Sequence, residues 1–256
     1  MENYLGGSDQ ARKPRLKALV AALLAALLAN FARAADRPTL EVGEFSAAKE
    51  GSNPPPGWAE LSFPRIPRHT TYALVKDGDA VVVKATSVAS ASGLVRRLHI
   101  DPREYPLLEW RWKVMNLIDK SDVGRKSGDD YPARIYVTFE YDPARVGILD
   151  RAKFEAVRLF YGEYPPSAAI DYIWDRRAPR GAFVPNAFSD RVRMVVVESG
   201  ASGVGRWIDE KRDVLADYRS AFAADPPMIS GVAIMTDSDN TGESAIAYYG
   251  DIRFTK

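Results

Sequence analysis

Cysteine is absent from the 256-residue sequence, and histidine is reduced to two residues, His69 and His99. The first absence excludes thiol nucleophiles, disulfides and cysteine-ligated metals, and the second argues against a multi-histidine metal centre. There is no serine elbow, phosphate-binding glycine loop or dinucleotide fingerprint, so hydrolase, nucleotide and redox chemistry of those kinds lacks support. Basic charge is not in excess either, with 35 Lys and Arg against 34 Asp and Glu. A nucleic-acid footprint needs a clustered basic surplus, so none is expected. Beyond the N-terminal region no apolar stretch reaches the ~20 residues a membrane span requires.

What is there begins with Arg12, Lys13, Arg15 and Lys17, followed by an apolar run from Ala18 to Ala29 and by Ala32-Arg33-Ala34. That order is the basic region, apolar region and small-x-small cleavage site of a secretory signal peptide. Residues 1–34 are expected to be removed after Ala34, with a retained N-terminal anchor helix as the alternative. Residues 1–34 hold five basic and two acidic residues, leaving 30 basic and 32 acidic in residues 35–256, a net charge near −2. The expectation is a periplasmic or secreted protein of one domain, 35–256, large enough to be held by its core without disulfides.

The clearest periodic stretch is Leu107-Leu-Glu-Trp-Arg-Trp-Lys-Val114, which alternates with period two. Leu108, Trp110, Trp112 and Val114 form a core face, while Glu109, Arg111 and Lys113 point the other way. Residues 133–141 repeat the division, with Ala133, Ile135, Val137 and Phe139 inward and Arg134, Tyr136 and Thr138 outward. Asp77-Gly78 between apolar runs signals a hairpin, and Pro64 and Pro67 confine the strand at 58–63 to a sheet edge. Helices are expected from Asp150 to Tyr161 and from about Glu210 to Phe222, where Val214, Tyr218 and Phe222 recur four apart. In the last strand Ile246, Tyr248, Ile252 and Phe254 are assigned to the core, and Tyr249, Asp251 and Arg253 to the polar face. Many short strands with two short helices give a mainly β protein, an antiparallel β-sandwich or jelly roll.

Placed in one sheet, the polar positions would form a shared ligand face of Glu109, Arg111, Lys113, Arg134, Tyr136 and Tyr249, edged by Asp237, Asp239 and Asn240. Arginine forks grip carboxylates and tyrosine offers an apolar plate with a hydroxyl, so the face suits a carbohydrate or other polar, acidic ligand. The plain alternative is a solvated face whose charges pair across strands. Two acidic loops, Asp129-Asp130 and Asp237-Ser-Asp239-Asn240, have the oxygen content that calcium takes, without the spacing of an EF-hand; Asx turns are the alternative. Trp58, Trp174 and Trp207 lie beside loops, where either stacking or burial is open. For catalysis, Glu109, Asp129, Asp130 and Asp237 can supply a glycosidase pair, and Arg134 with Tyr136 a lyase pair.

Trp110-Arg-Trp-Lys113, Gly128-Asp-Asp-Tyr-Pro-Ala-Arg-Ile-Tyr-Val137, Glu198-Ser-Gly200, Asp217-Tyr-Arg219, Ile234-Met-Thr-Asp-Ser-Asp-Asn-Thr-Gly242 and Tyr248-Tyr-Gly-Asp-Ile252 together resemble the DUF3047 family of exported bacterial proteins, over about residues 40–256. That family has no assigned function. A looser similarity links Val42-Gly-Glu-Phe45 and Tyr249-Gly-Asp-Ile252 to the terminal strands of galactose-binding-like jelly rolls, many of them carbohydrate-binding modules. That likeness implies a structural calcium on Glu44 and Asp251. The resulting expectation is an exported, non-catalytic domain binding a carbohydrate or other polar envelope ligand. A polysaccharide lyase or glycosidase and an envelope assembly protein are the alternatives.

Overall fold

The computed structural model describes residues 38–145, 147, 151, 154, 155, 158 and 165–256. The expected signal peptide lies outside the described residues. Along the chain run β1 (Thr39–Gly43), β2 (Ala59–Leu61), β3 (Thr71–Asp77), β4 (Ala80–Val88), β5 (Ala91–Ile100), β6 (Leu107–Val114), β7 (Arg134–Phe139), β8 (Ala168–Asp175), β9 (Phe183–Pro185), β10 (Val192–Ser199), β11 (Ile208–Asp213), α1 (Val214–Phe222), β12 (Ile229–Asp237) and β13 (Ser244–Thr255). The helix expected over 150–161 falls largely outside the described residues, of which 151, 154, 155 and 158 are helical.

The strands form two sheets. The first has the order β11-β6-β13-β4-β3, with β1 also paired to β13; the second has the order β2-β5-β12-β7-β8-β10-β9. Their facing sides make one core in which the alternating residues of β6 meet those of β8. Trp110 packs on Tyr172 at 5.4 Å between ring centroids, and Trp112 on Trp174 at 6.0 Å. Burying four such rings supplies a large share of the apolar driving force. Three of the four polar atoms that descend with them find a partner: Trp112 Nε1 donates to Glu210 Oε1 at 3.2 Å, Trp174 Nε1 to the Gly200 carbonyl at 3.1 Å and the Tyr172 hydroxyl to Asp217 Oδ2 at 2.9 Å, while Trp110 Nε1 is buried without one among the described residues. Trp174 and Trp58 are therefore core residues rather than stacking platforms.

Several expectations hold and others are corrected. The hairpin β3–β4 turns at Gly78, whose φ of +64° suits glycine without strain. The strand at 59–61 is a sheet edge. The helix expected from Glu210 is half strand: Ile208–Asp213 pairs antiparallel with β6, and α1 starts only at Val214, capped by Asp213, whose Oδ1 accepts the Ala216 N–H at 2.9 Å. Apolar spacing inside α1 carried no information about the charged residues before it. The sandwich is not wholly antiparallel, because β8 and β10 run parallel.

Candidate functional site

The shared polar face expected from sequence does not exist, because β6 and β13 belong to one sheet while β7 and β12 belong to the other. Alternation tells which side of its own strand a residue leaves from, but not in which sheet the strand lies. Glu109, Arg111 and Lys113 therefore emerge on the outer face of the six-stranded sheet, and Arg134, Tyr136 and Asp237 on the outer face of the seven-stranded one.

The final strand adds a second correction. A bulge between Tyr249 and Ile252 inserts one residue and inverts the alternation before it. Ala245, Ala247 and Tyr249 thereby join Ile252 and Phe254 in the core, while Ile246 and Tyr248 turn outward. Tyr249 is thus not on a ligand face. Its hydroxyl crosses to the other sheet, donating to the Met235 carbonyl at 2.6 Å and accepting from Arg134 N–H at 3.3 Å.

The outer face of the six-stranded sheet is locally paired. Glu109 receives Lys211 at 2.7 Å and Arg253 at 2.9 Å. Lys113 Nζ and Trp207 Nε1 both donate to Asp77 Oδ2 at 2.6 Å, and Arg111 lies 4.7 Å from the Trp207 ring centroid. Lys113 and Trp207 hold the Asp77 carboxyl below its ordinary value against a partial burial penalty. The calcium pair implied by the jelly-roll likeness has a different occupation here. Asp251 accepts Ser46 N–H at 2.8 Å and Ser46 Oγ at 2.5 Å, clasping the turn after β1, and Glu44 is exposed. Among the described residues the group of acidic side chains close enough to share a cation is instead Asp130, Asp237 and Asp239, whose ligand atoms lie within 4.8 Å of one another.

The seven-stranded sheet carries a cleft of about 1330 Å³ on its outer face. Its floor follows from register: Ala91, Gly93, Val95 and Arg97 of β5 stand opposite Asp237, Met235, Ala233 and Gly231 of β12, and Arg134 and Tyr136 of β7 stand opposite Met235 and Ala233. Small residues along β5 and β12 leave the floor low. The walls are the segment after β2, with Phe63, Pro64 and Ile66, and on the other side Pro165, Pro166, Asn186 and Phe188. Phe188 keeps 56% of its surface exposed.

One end of the cleft is built around Arg134, which is 2% exposed. Its fork is met diagonally from both neighbouring strands. Nε and one terminal nitrogen donate to the Asp237 carboxylate at 2.9 and 2.6 Å; the other terminal nitrogen reaches Asp171 Oδ2 at 3.3 Å and the Tyr136 hydroxyl at 2.9 Å. The Asp129 carbonyl takes a further N–H at 2.5 Å, and the Tyr131 ring lies 4.2 Å from the guanidinium. Burial disfavours this charge, but the carboxylates outweigh that cost and raise the Arg134 pKa well above its ordinary value. Burial pushes Asp171 up to about 7 against the opposing pull of Arg134. Asp237 is also pushed up by burial, while its bidentate contact with Arg134 is that of an ionised pair.

The two acidic loops, separate in sequence, converge here. Asp130 accepts N–H groups from Asn240 at 3.2 Å and Thr241 at 2.6 Å, and the Asn240 side chain at 3.1 Å. The structure thus gathers Arg134, Tyr136, Asp237, Asp239 and Asn240 at one cleft and leaves Glu109, Arg111, Lys113 and Tyr249 outside it. Sequence reasoning missed Asp171, Asn186 and Phe188. For Asp171 the signal was present: a carboxylate inside the otherwise apolar Ala168–Trp174 strand must find a buried partner.

A family model described as "Protein of unknown function (DUF3047)" matches residues 56–253. No curated protein sequence matches the chain. Similar solved structures include the family 11 carbohydrate-binding module of cellulosomal cellulase Lic26A-Cel5E of Clostridium thermocellum, with 9% identity, TM-score 0.41, and 86% of this chain and 95% of that chain covered. The xyloglucanase domain of NopAA, a type three effector from Sinorhizobium fredii, shows 7% identity, TM-score 0.42, and coverage of 84% and 100%. Endoglucanase 3 from family GH12 of Trichoderma harzianum shows 10% identity, TM-score 0.38, and coverage of 87% and 98%.

Proposed function

The chain belongs to the DUF3047 family, whose description assigns no activity, so we propose a function from the cleft itself: an exported domain that binds a carbohydrate along the outer face of the seven-stranded sheet. The observation that carries this reading is a long open cleft whose apolar walls enclose polar groups converging at one end. A pyranose ring has C–H faces that favour apolar and aromatic walls such as Phe63, Tyr141 and Phe188, and rim hydroxyls that need partners. Thr138, Ser230, Asn186 and Asn240 line the same space and offer hydroxyl and amide groups. From Arg134 to Glu140 the floor extends roughly 20 Å at the rise of a strand, enough for an extended ligand.

The Arg134 fork does not take part in this binding. All five of its N–H groups are engaged within the protein, so it cannot grip a ligand carboxylate, and Tyr136, raised well above its ordinary pKa by burial, is unsuited to act as a lyase base. A second reading, an enzyme cleaving the bound saccharide, draws on the carboxyls of Asp129 and Asp239, which line the cleft and are both raised by burial.

Thermal unfolding of residues 35–256 against neutral gluco-oligosaccharides tests the binding reading, since a ligand of the folded state raises the midpoint. The expected result is a concentration-dependent rise that Phe188→Ala weakens and Ala233→Leu, which raises the floor, abolishes. A rise unaffected by both variants, or no rise with any sugar, overturns the assignment. New reducing ends during the incubation would favour the enzyme.

A further inference from the structure

The acidic end of the cleft has a chemical preference that the rest of the cleft does not. We propose that it selects a saccharide carrying a free amino group, held as an ammonium by Asp239 and Asp129 beside Asp237; this inference rests on the carbohydrate reading above. Three carboxyl groups, Asp129, Asp237 and Asp239, line this end, and Asp130 stands within 4.8 Å of the last two. Arg134, the cation they share, has spent its donors inside the protein, so this end offers a ligand acceptors in excess.

Two of those acceptors are underused. Asp129 is buried, and its Oδ1 has no hydrogen-bond partner among the described residues, although the Tyr131 hydroxyl is close enough to pull its pKa down; the nearest Arg134 nitrogen is 3.7 Å away, beyond hydrogen-bond length. Its other oxygen takes a single 3.3 Å contact from Asn186. Asp239 receives the Asn240 side chain at 3.4 Å, and burial together with Asp130 raises its pKa, as expected of a carboxylate short of positive partners. A buried carboxylate oxygen without a donor costs free energy that an incoming N–H would recover. Two other cations line the cleft, Arg65 in the segment after β2 and Arg97 on the floor, but the cation acting most on Asp129, Asp237 and Asp239 is Arg134. Arg97 stands on the floor opposite Gly231, six residues along β5 from the Ala91–Asp237 pair, roughly 20 Å away by strand rise. Lys126 lies over Phe188 and does not line the cleft. A uronic carboxylate would meet like charge here, a neutral sugar would leave the excess uncompensated, and an amino sugar supplies both donors and charge.

Calorimetric titration of residues 35–256 at low salt with glucosamine hexamer, N-acetylglucosamine hexamer, cellohexaose, oligogalacturonate and trilysine tests this, with wild type and Asp239→Asn. The expected result is glucosamine hexamer binding about tenfold or more tighter than the other sugars, as one charge-assisted contact gives. That ratio should fall towards one in Asp239→Asn and shrink with added salt. Cellohexaose or oligogalacturonate binding equally well or better overturns the inference and leaves the carbohydrate reading standing. Trilysine binding as tightly as glucosamine hexamer overturns it in favour of indiscriminate cation capture. Calcium chloride that raises the unfolding midpoint and excludes glucosamine hexamer overturns it in favour of a metal at Asp130, Asp237 and Asp239. Absence of binding by every sugar removes both readings.

Discussion

Strands β6 and β7 look alike in sequence and end in opposite circumstances. Each alternates apolar with polar residues, and each sends arginine outward. On β6, Arg111 stays partly solvated beside Trp207, among the Lys113–Asp77 pair and the Glu109 carboxylate that Lys211 and Arg253 share. On β7, Arg134 lies beneath the segments that carry Val123, Tyr131, Ala182 and Val184, which pack with Ile173, Met194 and Val196 into a second small core on the outer side of the sheet. The strand pattern decides which residues leave the main core; the loops decide whether that exit is a surface or another interior. Charge on the covered side must be neutralised within the protein, whereas on the open side water does much of that work.

The comparison breaks most sharply at the two arginines. Arg134→Met leaves Asp237, Asp171 and Asp129 buried without their cation, and should cost about 3–5 kcal/mol, the range for halving a buried ion pair. For a domain of this size that lowers the melting midpoint by ~10 °C. Arg111→Ala gives up a half-buried stacking contact on Trp207 worth roughly 0.5–1 kcal/mol. Urea unfolding of both variants measures the difference, and equal losses would mean that cover does not distinguish the faces.

Tyr249 ties the main core to the covered face, so its effect should fall between those two. Tyr249→Phe removes the donor to the Met235 carbonyl and the acceptor for Arg134 N–H while keeping the ring. The expected loss is about 1–2 kcal/mol, because the Met235 carbonyl is left short of a partner in the interior. A neutral substitution would show that water or neighbouring groups take over both contacts.

Tyr249 also marks where the sequence ceases to be readable. Alternation placed Leu108, Trp110, Trp112, Ile135 and Val137 in the core correctly, since period two on one strand is a local property. The Asp77-Gly78 turn and the proline-limited edge strand were equally local. The bulge before Ile252 is a local event with a reversed consequence, and nothing in Tyr248-Tyr-Gly-Asp251 announces which residue is the extra one. Membership of a sheet is nonlocal: neither β6 nor β7 contains any mark that β13 will pair with one and β12 with the other. For the same reason Arg134, Asp237 and Asp239 could be picked as polar outliers, while their partner Asp171, their wall Phe188 and their separation from Arg111 depend on how strands and loops assemble.

Buried charge exists on the edge between the sheets too, and there pH sharpens the comparison. Burial, followed by the nearby Glu198, raises Glu210 to about 7 from an ordinary 4.5. A carboxyl whose folded pKa is raised binds its proton more tightly in the folded state, so its contribution to stability is greatest below about 4.5 and declines as pH climbs to about 7. Asp171, raised to about 7 as well, acts in the same direction. Glu210→Gln keeps an acceptor for Trp112 and removes the ionisation. It should be more stable than wild type by about 1–2 kcal/mol at pH 8 and indistinguishable at pH 4. An equal difference at the two pH values would point to packing rather than ionisation.

The smallest expected effect lies on the open face, at Lys211. Its ammonium reaches Glu109 at 2.7 Å, but the same carboxylate also receives Arg253 at 2.9 Å and the Thr255 hydroxyl at 3.4 Å. Lys211→Ala therefore leaves Glu109 paired, and both long cations are substantially solvated, so the loss should stay below about 0.5 kcal/mol and vanish in 1 M salt. Double substitution with Arg253→Ala should cost more than the two single changes added together, because only then is Glu109 without a cation. Strict additivity, or a single-variant loss approaching that of Arg134→Met, would place the Glu109 cluster among the buried networks and erase the distinction between the two faces.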